Sequence, residues 1–443
     1  MWSEVYLGEI GEFSNGLNFT INDMLSSRNN EFSKKNKNND TNLKIVNVKD
    51  LHGETVFINF KNLDKISLKI KKNSSYKIIK NDIFFARSSV KRKGVGVVGI
   101  ADKDFNNAYH CGFIIRFRNK NKYILSTYLA YLLRSPYYRK KIINISNGST
   151  ITNINQESLS SLKIRYPDIS IQKKISQHFI NIDKQIINNK RKINNYKNIL
   201  KVLFHDWFVN LNFPGFDKEN LKESDLGLIP HNWDVRFLSS CIQTIESGKR
   251  PKGGIDLNER SIPSVGAENI RGIGIHNFEK EKYVTKEYFK SMKNGRVKNK
   301  DVALYKDGAH IGRVTYFRDD FPHKEFCVNE HVFLIRTKES EVTQNFIYLW
   351  LNQDSIFSKI QHLNTNSAQP GINKLNLESI KILLPDINTI ENFDKLTEPF
   401  FKTITNLSKK NIHLSAINRI ISKSIFSNED NFNRLDFNKI LDE

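Results

Sequence analysis

Cysteine and methionine are scarce in this sequence, with three of each among 443 residues. Cys111, Cys241 and Cys327 lie far apart and form no Cys-x-x-Cys pair, so we expect neither a disulfide framework nor a cysteine-bound zinc. No run of about 18 apolar residues is present, which argues against a membrane-spanning helix. The first five residues lack the basic and then apolar order of a secretory signal. Together these absences predict a cytoplasmic protein.

Acidic residues are in deficit as well. The chain has 69 Lys and Arg against 47 Asp and Glu, which gives a formal net charge of +22. Such a surplus indicates a polyanionic partner, because basic side chains that bind phosphates release counterions. An AT-rich genome would produce part of the same lysine excess, so charge alone does not establish nucleic-acid binding.

Catalytic motifs are also missing. Residues 94–99 match Gly-x-Gly-x-x-Gly, but three basic residues precede them and no helical pattern follows, as a dinucleotide site would require. Ser247-Gly248-Lys249 lacks the first glycine of a phosphate-binding loop, since Gln243 stands at that position. No Asn-Pro-Pro-aromatic tetrapeptide, no Gly-x-Ser-x-Gly and no histidine pair with metal-ligand spacing occurs. We therefore expect no catalytic residue, metal or cofactor in this chain.

What the sequence does contain is an internal repeat. Residues 2–7 resemble 233–238, 81–85 resemble 300–304, 113–116 resemble 333–336, and 158–168 resemble 376–386. The order is kept, and the offset falls from 231 at Trp2 and Trp233 to 219 at Asp82 and Asp301. One large gap explains this change. It coincides with the polar, low-complexity residues 29–42, which we interpret as a loop insertion.

Each half repeats one plan. β-Branched and aromatic runs predict strands at 78–86, 95–100, 112–117, 302–305, 314–317 and 332–335, and helices are predicted at 126–138 and 344–357. This predicts an α/β (α+β) fold with two tandem, pseudo-repeated domains, each followed by a long helix. The predicted bounds are 1–166 for the first domain, 167–212 for its helix, 213–232 for a linker, 233–384 for the second domain, 385–428 for its helix and 429–443 for a tail.

Both long helices carry an apolar stripe with a spacing of three and four residues. The stripe in the first helix contains Ile175, Phe179, Ile182, Ile186, Ile193, Leu200, Leu203 and Trp207, and that in the second contains Phe393, Phe400, Ile404, Leu407, Leu414, Ile421 and Ile425. Such a stripe requires a partner. Both share one register, which favours packing of the two helices on each other in an antiparallel coiled coil; packing of each helix on its own domain is the alternative.

The sequence also predicts how both long helices begin and where the second one is distorted. Asn388 and Glu391 have the spacing of a capping box, and Ser170 is a candidate cap in the first helix. Pro399 lacks an N–H and is expected to kink the second helix or to delay its start.

Basic residues recur on turns that leave equivalent predicted strands. Arginine reads guanine, lysine grips phosphate, and amides read adenine, so these turns and two amide-bearing segments are candidates for DNA contact; the alternative is an ordinary solvated surface turn. The candidates in the first half are Arg87, Ser88, Lys91, Arg92, Lys93, Ser149 and Thr150. Those in the second half are Lys249, Arg250, Lys252, Lys306, His310, Arg313 and Gln369.

With these features the chain resembles the specificity subunits of type I restriction–modification enzymes. The resemblance covers about residues 2–426 and rests on residues 2–10, 228–235 and 301–308 and on the Pro-Asp pairs that precede both long helices. It implies a sequence-specific subunit that binds double-stranded DNA and reads a bipartite, asymmetric target. It also implies that the antiparallel helices hold the two target-recognition domains apart.

The resemblance further implies partners that perform the chemistry. Two methyltransferase (modification) subunits would dock on the helices and use S-adenosylmethionine to methylate adenine. Restriction/translocase subunits would use ATP and Mg²⁺ for cleavage. Three alternatives stay open: an enzyme (nuclease or methyltransferase) with an unrecognised site, a coiled-coil adaptor between proteins, and a specificity subunit of a combined cutting–methylating system.

Overall fold

The structure is a computed structural model that describes residues 2–18, 41–53, 55–68, 76–105, 107–148, 150–251, 261–364 and 370–427. Residues 29–40 of the predicted insertion lie outside this part. The chain forms two compact units, one from residues 1–186 and 413–443 and the other from residues 187–412. Each unit therefore contains part of each long helix.

The first unit mixes short strands with helices. Its elements, in chain order, are β1 (Ser3–Tyr6), β2 (Gly11–Asn15), β3 (Thr41–Val46), α1 (Val48–Leu51), β4 (Asp64–Leu68), β5 (Ile83–Ala86), β6 (Ser88–Ser89), β7 (Val98–Ile100), β8 (Ala108–His110), β9 (Ile114–Asn119), α2 (Ser126–Arg134), α3 (Pro136–Asn144), β10 (Thr152–Asn153), α4 (Gln156–Ser160), β11 (Lys163–Tyr166) and α5 (Ile169–Phe208), which continues into the second unit.

Two sheets form the body of the first unit. In the larger sheet the strand order is β2-β9-β5-β7, with all neighbours antiparallel. In the smaller sheet β3 lies between β4, which is antiparallel to it, and β8, which is parallel. Every residue of β5 is apolar and buried, as expected for a strand covered on both faces.

The second unit adds the matching elements. They are β12 (Leu221–Ser224), β13 (Gly227–Pro230), β14 (Asp234–Phe237), α6 (Leu238–Cys241), β15 (Ile242–Ser247), β16 (Ile262–Val265), β17 (Lys282–Val284), α7 (Lys286–Ser291), β18 (Asp301–Tyr305), β19 (Val314–Phe317), β20 (Cys327–Val328), β21 (Val332–Thr337), α8 (Gln344–Leu351), α9 (Asp354–His362), α10 (Lys374–Glu378), β22 (Lys381–Leu384) and α11 (Ile387–Phe426).

The second unit repeats the topology of the first. Its larger sheet has the order β15-β21-β18-β19, and β16 lies between antiparallel β17 and parallel β20. β1 pairs with β11 in the first unit, and β14 pairs with β22 at the same register in the second. The predicted α/β (α+β) fold with tandem repeated domains is confirmed, and the smaller sheets are additions that the sequence patterns did not predict.

One part of the predicted repeat was wrong by two residues. Ile83 faces Phe117 in β9, whereas its counterpart Val302 faces Ile335 in β21. The equivalent of Arg336 is therefore Arg118, not Arg116. A shift of two residues keeps every side chain on its face of a strand, so the pattern of apolar residues could not reveal the error.

The corrected register exposes a buried ion pair that both units share. Arg118 Nε donates to Asp82 Oδ1 over 2.7 Å, and Arg336 Nε donates to Asp301 Oδ1 over the same distance. Each carboxylate also accepts from a backbone N–H three residues earlier. The residues before the aspartates, Asn81 and Lys300, both have positive φ. The turn that precedes the aspartate therefore has the same backbone conformation in both units.

Within each unit the two long helices pack together and run antiparallel. In the second unit Asn189 contacts Asn411, Tyr196 contacts Phe400, and Trp207 contacts Phe393. Residue numbers therefore increase along α5 as they decrease along α11. In the first unit Phe179 stacks on Phe426. No helix among the described residues is long and apolar enough to cross a membrane.

The stripe residues lie on the inner faces of these helices. Ile175, Phe179, Ile182, Ile186, Ile193, Leu200, Trp207, Phe393, Ile404 and Ile425 are buried, and Leu203, Phe400, Leu407, Leu414 and Ile421 are half-buried. The helices also pack on the adjoining domain, since Phe204 and Phe208 contact Phe346 of α8. Mutual pairing and packing on the domain therefore occur together, because Phe204 and Phe208 also contact Phe393 of α11.

Several local predictions about helices were wrong, and one of the two effects expected of Pro399 does not occur. Asp386 caps α11 by accepting from Thr389 N over 3.0 Å, so Asn388 and Glu391 both lie inside the helix and form no capping box. Ser170 likewise lies inside α5. Pro399 does not delay α11, which begins at Ile387 and continues through it. The helices predicted at 126–138 and 344–357 are each two helices, and the first is divided where Ser135 caps α3 and Pro136 occupies its first position.

Candidate nucleic-acid interface

The first candidate surface, which we call turn 1, comprises residues 87–93 after β5. Ile154 N donates to Arg87 O over 2.9 Å, and β6 pairs with β10. Ser88 Oγ donates to Asn153 Oδ1 over 2.5 Å. Asn153 also pairs with Asn147, so turn 1 lies beside the loop that contains the candidate residue Thr150.

The basic side chains of turn 1 point to solvent. Arg87, Lys91, Arg92, Lys93 and Thr150 are exposed and Ser88 is half-buried, while Ser149 lies outside the described residues. Arg87 Nη1 makes one long contact, 3.4 Å, with Gly112 O. Turn 1 thus presents four cations with little to neutralise them.

The glycines of the Gly-x-Gly-x-x-Gly match shape this turn. Gly96 has φ +62°, and a Cβ there would lie 2.3 Å from Ile142 of α3. Gly96 N donates to Ala86 O over 2.6 Å. Only glycine meets both demands without strain, so the motif closes a basic turn against a helix.

Arg139 of α3 is a functional candidate that sequence reasoning missed. Its Nη2 donates to Lys93 O and Val95 O over 2.9 and 2.7 Å, which fixes the end of turn 1. Burial lowers the pKa of Arg139 to about 10, and the charge of Arg134 contributes. Its position in a helix 46 residues away left no local signal.

Turn 2, residues 306–313 after β18, is built in the same way. Ile372 N donates to Lys306 O over 2.9 Å, as Ile154 does to Arg87. Gly308 N donates to Pro370 O over 2.8 Å. His310 and Arg313 are exposed, and Gln369, another candidate for DNA contact, is outside the described residues.

A chain of polar contacts joins turn 2 to the candidate residues Lys249 and Arg250. Arg250 Nε lies 2.9 Å from Glu330, His331 lies 3.3 Å from both Glu330 and Asp307, and Lys306 Nζ lies 3.8 Å from Asp307. Exposed Lys249 adjoins Arg250; Lys252 is outside the described residues. The structure thus brings two predicted segments together, but with carboxylates that reduce their charge.

Arg271 was also missed by the sequence reasoning. It lines a groove of about 610 Å³ together with Arg313, Asn352, Asp354 and Phe357. Its Nε donates to Glu268 O over 2.8 Å, and the side chain is exposed. Arg271 therefore extends the cationic surface of turn 2 from the segment that follows β16.

Comparison with known proteins agrees with this twofold plan. Residues 2–197 and 230–416 each match the family described as type I restriction modification DNA specificity domain. The chain is 24% identical to the type I restriction enzyme MjaIX specificity subunit of Methanocaldococcus jannaschii over 68% of this chain and 69% of that protein. It is 23% identical to the StySPI specificity subunit of Salmonella potsdam over 78% and 73%.

A solved structure has the same fold. The S subunit of a type I restriction–modification system from M. genitalium superposes with a TM-score of 0.54 at 15% identity, over 97% of this chain and 96% of that one. Two matched domains, each with a basic turn at the same place, lead to one conclusion: the chain belongs to the family of type I restriction–modification specificity subunits and contains two DNA specificity domains.

Proposed function

We propose that this chain is the sequence-specific DNA-binding subunit of a type I restriction–modification complex and reads a bipartite, asymmetric target. The observation that carries the proposal is the recurrence of one construction in both units: a basic turn leaves the central strand of the larger sheet and is held beside the segment before α4 or α10. Loops on a rigid scaffold commonly carry binding residues.

The two turns differ in charge, which supports an asymmetric target. Turn 1 has four exposed cations, whereas Lys306 in turn 2 is paired with Asp307. Turn 1 is suited to phosphate contact and arginine readout of guanine. In turn 2, His310 and Arg313 are available for contact with DNA. The neighbouring carboxylates of Asp307 and Glu330 favour contact with the exocyclic amino groups of bases.

The partners perform the chemistry in this proposal. Two methyltransferase subunits bring S-adenosylmethionine for adenine methylation, restriction/translocase subunits bring ATP and Mg²⁺ for cleavage, and the complex acts in the cytoplasm on double-stranded DNA. The specificity subunit itself is not catalytic. We propose target-recognition domains at 1–166 and 233–384, spacer helices at 167–212 and 385–428, a linker at 213–232 and a tail at 429–443.

Helix length is compatible with a split target. Each of α5 and α11 has 40 residues, which at 1.5 Å per residue gives about 60 Å. One turn of DNA takes roughly 34–36 Å. We propose that the stripe residues, by pairing these helices, determine the unread spacer between the half-sites.

Binding of the full chain to a library of randomised duplexes tests the proposal. The triple variant Arg87→Ala, Lys91→Ala, Arg92→Ala is expected to lose selection at one half-site and to keep it at the other. If the three residues contact phosphates, the salt slope falls by about 0.9 for each, hence about 2.7 for three. Lys103→Ala, Lys122→Ala, Lys140→Ala removes the same charge from exposed positions elsewhere and serves as the control.

Unchanged half-site selection in the turn 1 variant, or an equal loss in the control, would contradict the proposal. Incubation of the chain alone with DNA, Mg²⁺ and S-adenosylmethionine tests the enzyme alternative, which predicts methylation or cleavage without partners. Binding without any sequence preference at moderate salt would favour a coiled-coil adaptor. Purification of the native complex identifies whether the partners form a three-subunit or a combined cutting–methylating system.

A further inference from the structure

Three side chains that could ligate a metal ion converge in the second unit. His276 Nε2 lies 2.5 Å from Glu281 Oε1, and His323 Nε2 contacts the same oxygen. All three ligand atoms lie within 4.8 Å of one another. Two imidazole nitrogens and one carboxylate oxygen therefore point to one place, although His323 is 42 residues from Glu281 along the chain.

This cluster is enclosed by the protein. The side chains of His276 and Glu281 are 1% and 3% exposed, and that of His323 is 25% exposed. The rings of Phe278 and Phe326 flank the histidines. Tyr283 donates its hydroxyl to the other carboxylate oxygen, Glu281 Oε2, over 2.9 Å. One polar group thus orients the carboxylate, as outer partners do around metal ligands, and the histidine at the surface leaves an approach for an ion.

The equivalent place in the first unit is apolar. Asn59 begins a turn before β4 by accepting from Lys61 N, and Asn277 begins a turn before β17 by accepting from Glu279 N. In the first unit the next residue, Phe60, stacks on Phe105, which lies before β8. Aromatic stacking thus joins the segments before the two outer strands there. In the second unit the same two segments are joined by the histidines and Glu281.

Burying these three polar side chains is energetically unfavourable unless they bind a ligand. A carboxylate and two imidazoles lose hydration in the interior, and a ring pair achieves the same connection in the first unit without that loss. Nitrogen and carboxylate ligands in a set of three, with one position open, are the donor set of many zinc sites. We propose that His276, Glu281 and His323 bind one Zn²⁺ ion, with a water molecule as the fourth ligand.

The ion would connect two weakly held segments of the smaller sheet. His276 and Glu281 precede β17, and His323 precedes β20, which has only two residues and two register partners in β16. With bonds of about 2.0–2.1 Å, tetrahedral Zn²⁺ separates its ligands by roughly 3.3 Å. Each imidazole therefore moves back from Glu281 by about 1 Å on binding, a distance that side-chain rotation provides. The site is not needed for DNA reading by turns 1 and 2, so the two proposals stand or fall separately.

Zinc titration of the full chain after chelation tests this site. Calorimetry and metal analysis are expected to give one tightly bound Zn²⁺ per chain. Co²⁺ in its place is expected to give the visible absorption of a tetrahedral nitrogen–oxygen site. His276→Asn, His323→Asn and Glu281→Gln are each expected to weaken Zn²⁺ binding by more than about 100-fold. Tyr283→Phe is expected to weaken it about 10- to 100-fold through the lost orienting hydrogen bond.

His362→Asn is the matched control, because His362 is an exposed histidine on α9 of the same unit and its loss is expected to leave the tight site intact. The proposal is overturned if wild-type chain binds no stoichiometric Zn²⁺, or if His362→Asn weakens binding as much as His323→Asn. Should the ligand variants fail to fold, X-ray absorption of the Zn²⁺-loaded wild type decides the matter. Two imidazole ligands support the site, and any other number refutes it.

Discussion

The amide pair between the long helices permits a sharp test of how they are matched. Asn189 Nδ2 donates to Asn411 Oδ1 over 2.9 Å, and the two residues are only 7% and 8% exposed. Their neighbours in the stripes, Ile193 and Leu407, are apolar. Changing one asparagine to leucine leaves the other amide buried without its partner, which costs roughly 1–3 kcal/mol.

A double-mutant cycle isolates this cost. Asn189→Leu and Asn411→Leu each bury additional apolar surface. The double variant buries the sum of both, so this contribution cancels in the coupling energy. The orphaned amide occurs in each single variant and is absent from the double variant. We therefore expect a coupling of about 1–3 kcal/mol or more, with the double variant at least as stable as the wild type. The double variant is also expected to lose fidelity of register, the usual role of a buried asparagine pair.

Hydrogen exchange of α5 and α11 peptides is the suitable assay, because it gives local opening free energies without requiring two-state unfolding of the whole chain. Gln177 and Asn181 provide the control, since Gln177 Nε2 donates to Asn181 Oδ1 over 2.7 Å on an exposed face. The same cycle there is expected to give a coupling below about 0.5 kcal/mol. An equally small coupling for Asn189 and Asn411 would refute the reasoning.

Three further outcomes are expected. Burial raises the pKa of Asp394 to about 7 from an ordinary 3.8, so the folded state holds a proton that the unfolded state releases. The second unit should lose roughly 4 kcal/mol of stability between about pH 4 and pH 7, and Asp394→Asn should flatten this dependence in thermal unfolding. Asp301→Ala removes two charge-assisted hydrogen bonds from Arg336 and leaves Glu246 as its remaining carboxylate partner, which should destabilise the second unit by about 1.5–3 kcal/mol in urea unfolding; a loss below about 1 kcal/mol would contradict this. Leu200→Asp places a charge in the core, so circular dichroism at room temperature should show the second unit unfolded. The same change at Leu203, which is half-buried, should leave the unit folded.

The sequence predicted those parts of the fold that local patterns determine. The repeat predicted the common topology, and β5 and β18 stood out because each contains a run of buried apolar residues. The smaller sheets escaped notice because β3 and β16 each pair in parallel with strands more than 60 residues away along the chain. Such pairing leaves no short-range signal.

The candidate site divides in the same way. The basic turns were visible because they follow recognisable strands in both halves. Their surroundings were not: the carboxylate of Glu330 reaches Arg250 only through a tertiary contact. His276 and His323 likewise lie on two separate loop segments that come together only in the folded chain, so their spacing in the sequence does not predict the contact.

The final turns of α11 have a consequence for biosynthesis. Ile425 and Phe426 are fully buried in the core of the first unit, where Phe426 contacts Tyr128 and Phe179. The N-terminal unit therefore cannot complete its interior while the ribosome is still translating the second half. Until α11 emerges, this nascent unit exposes the aromatic surface of Tyr128 and Phe179 that Phe426 later covers.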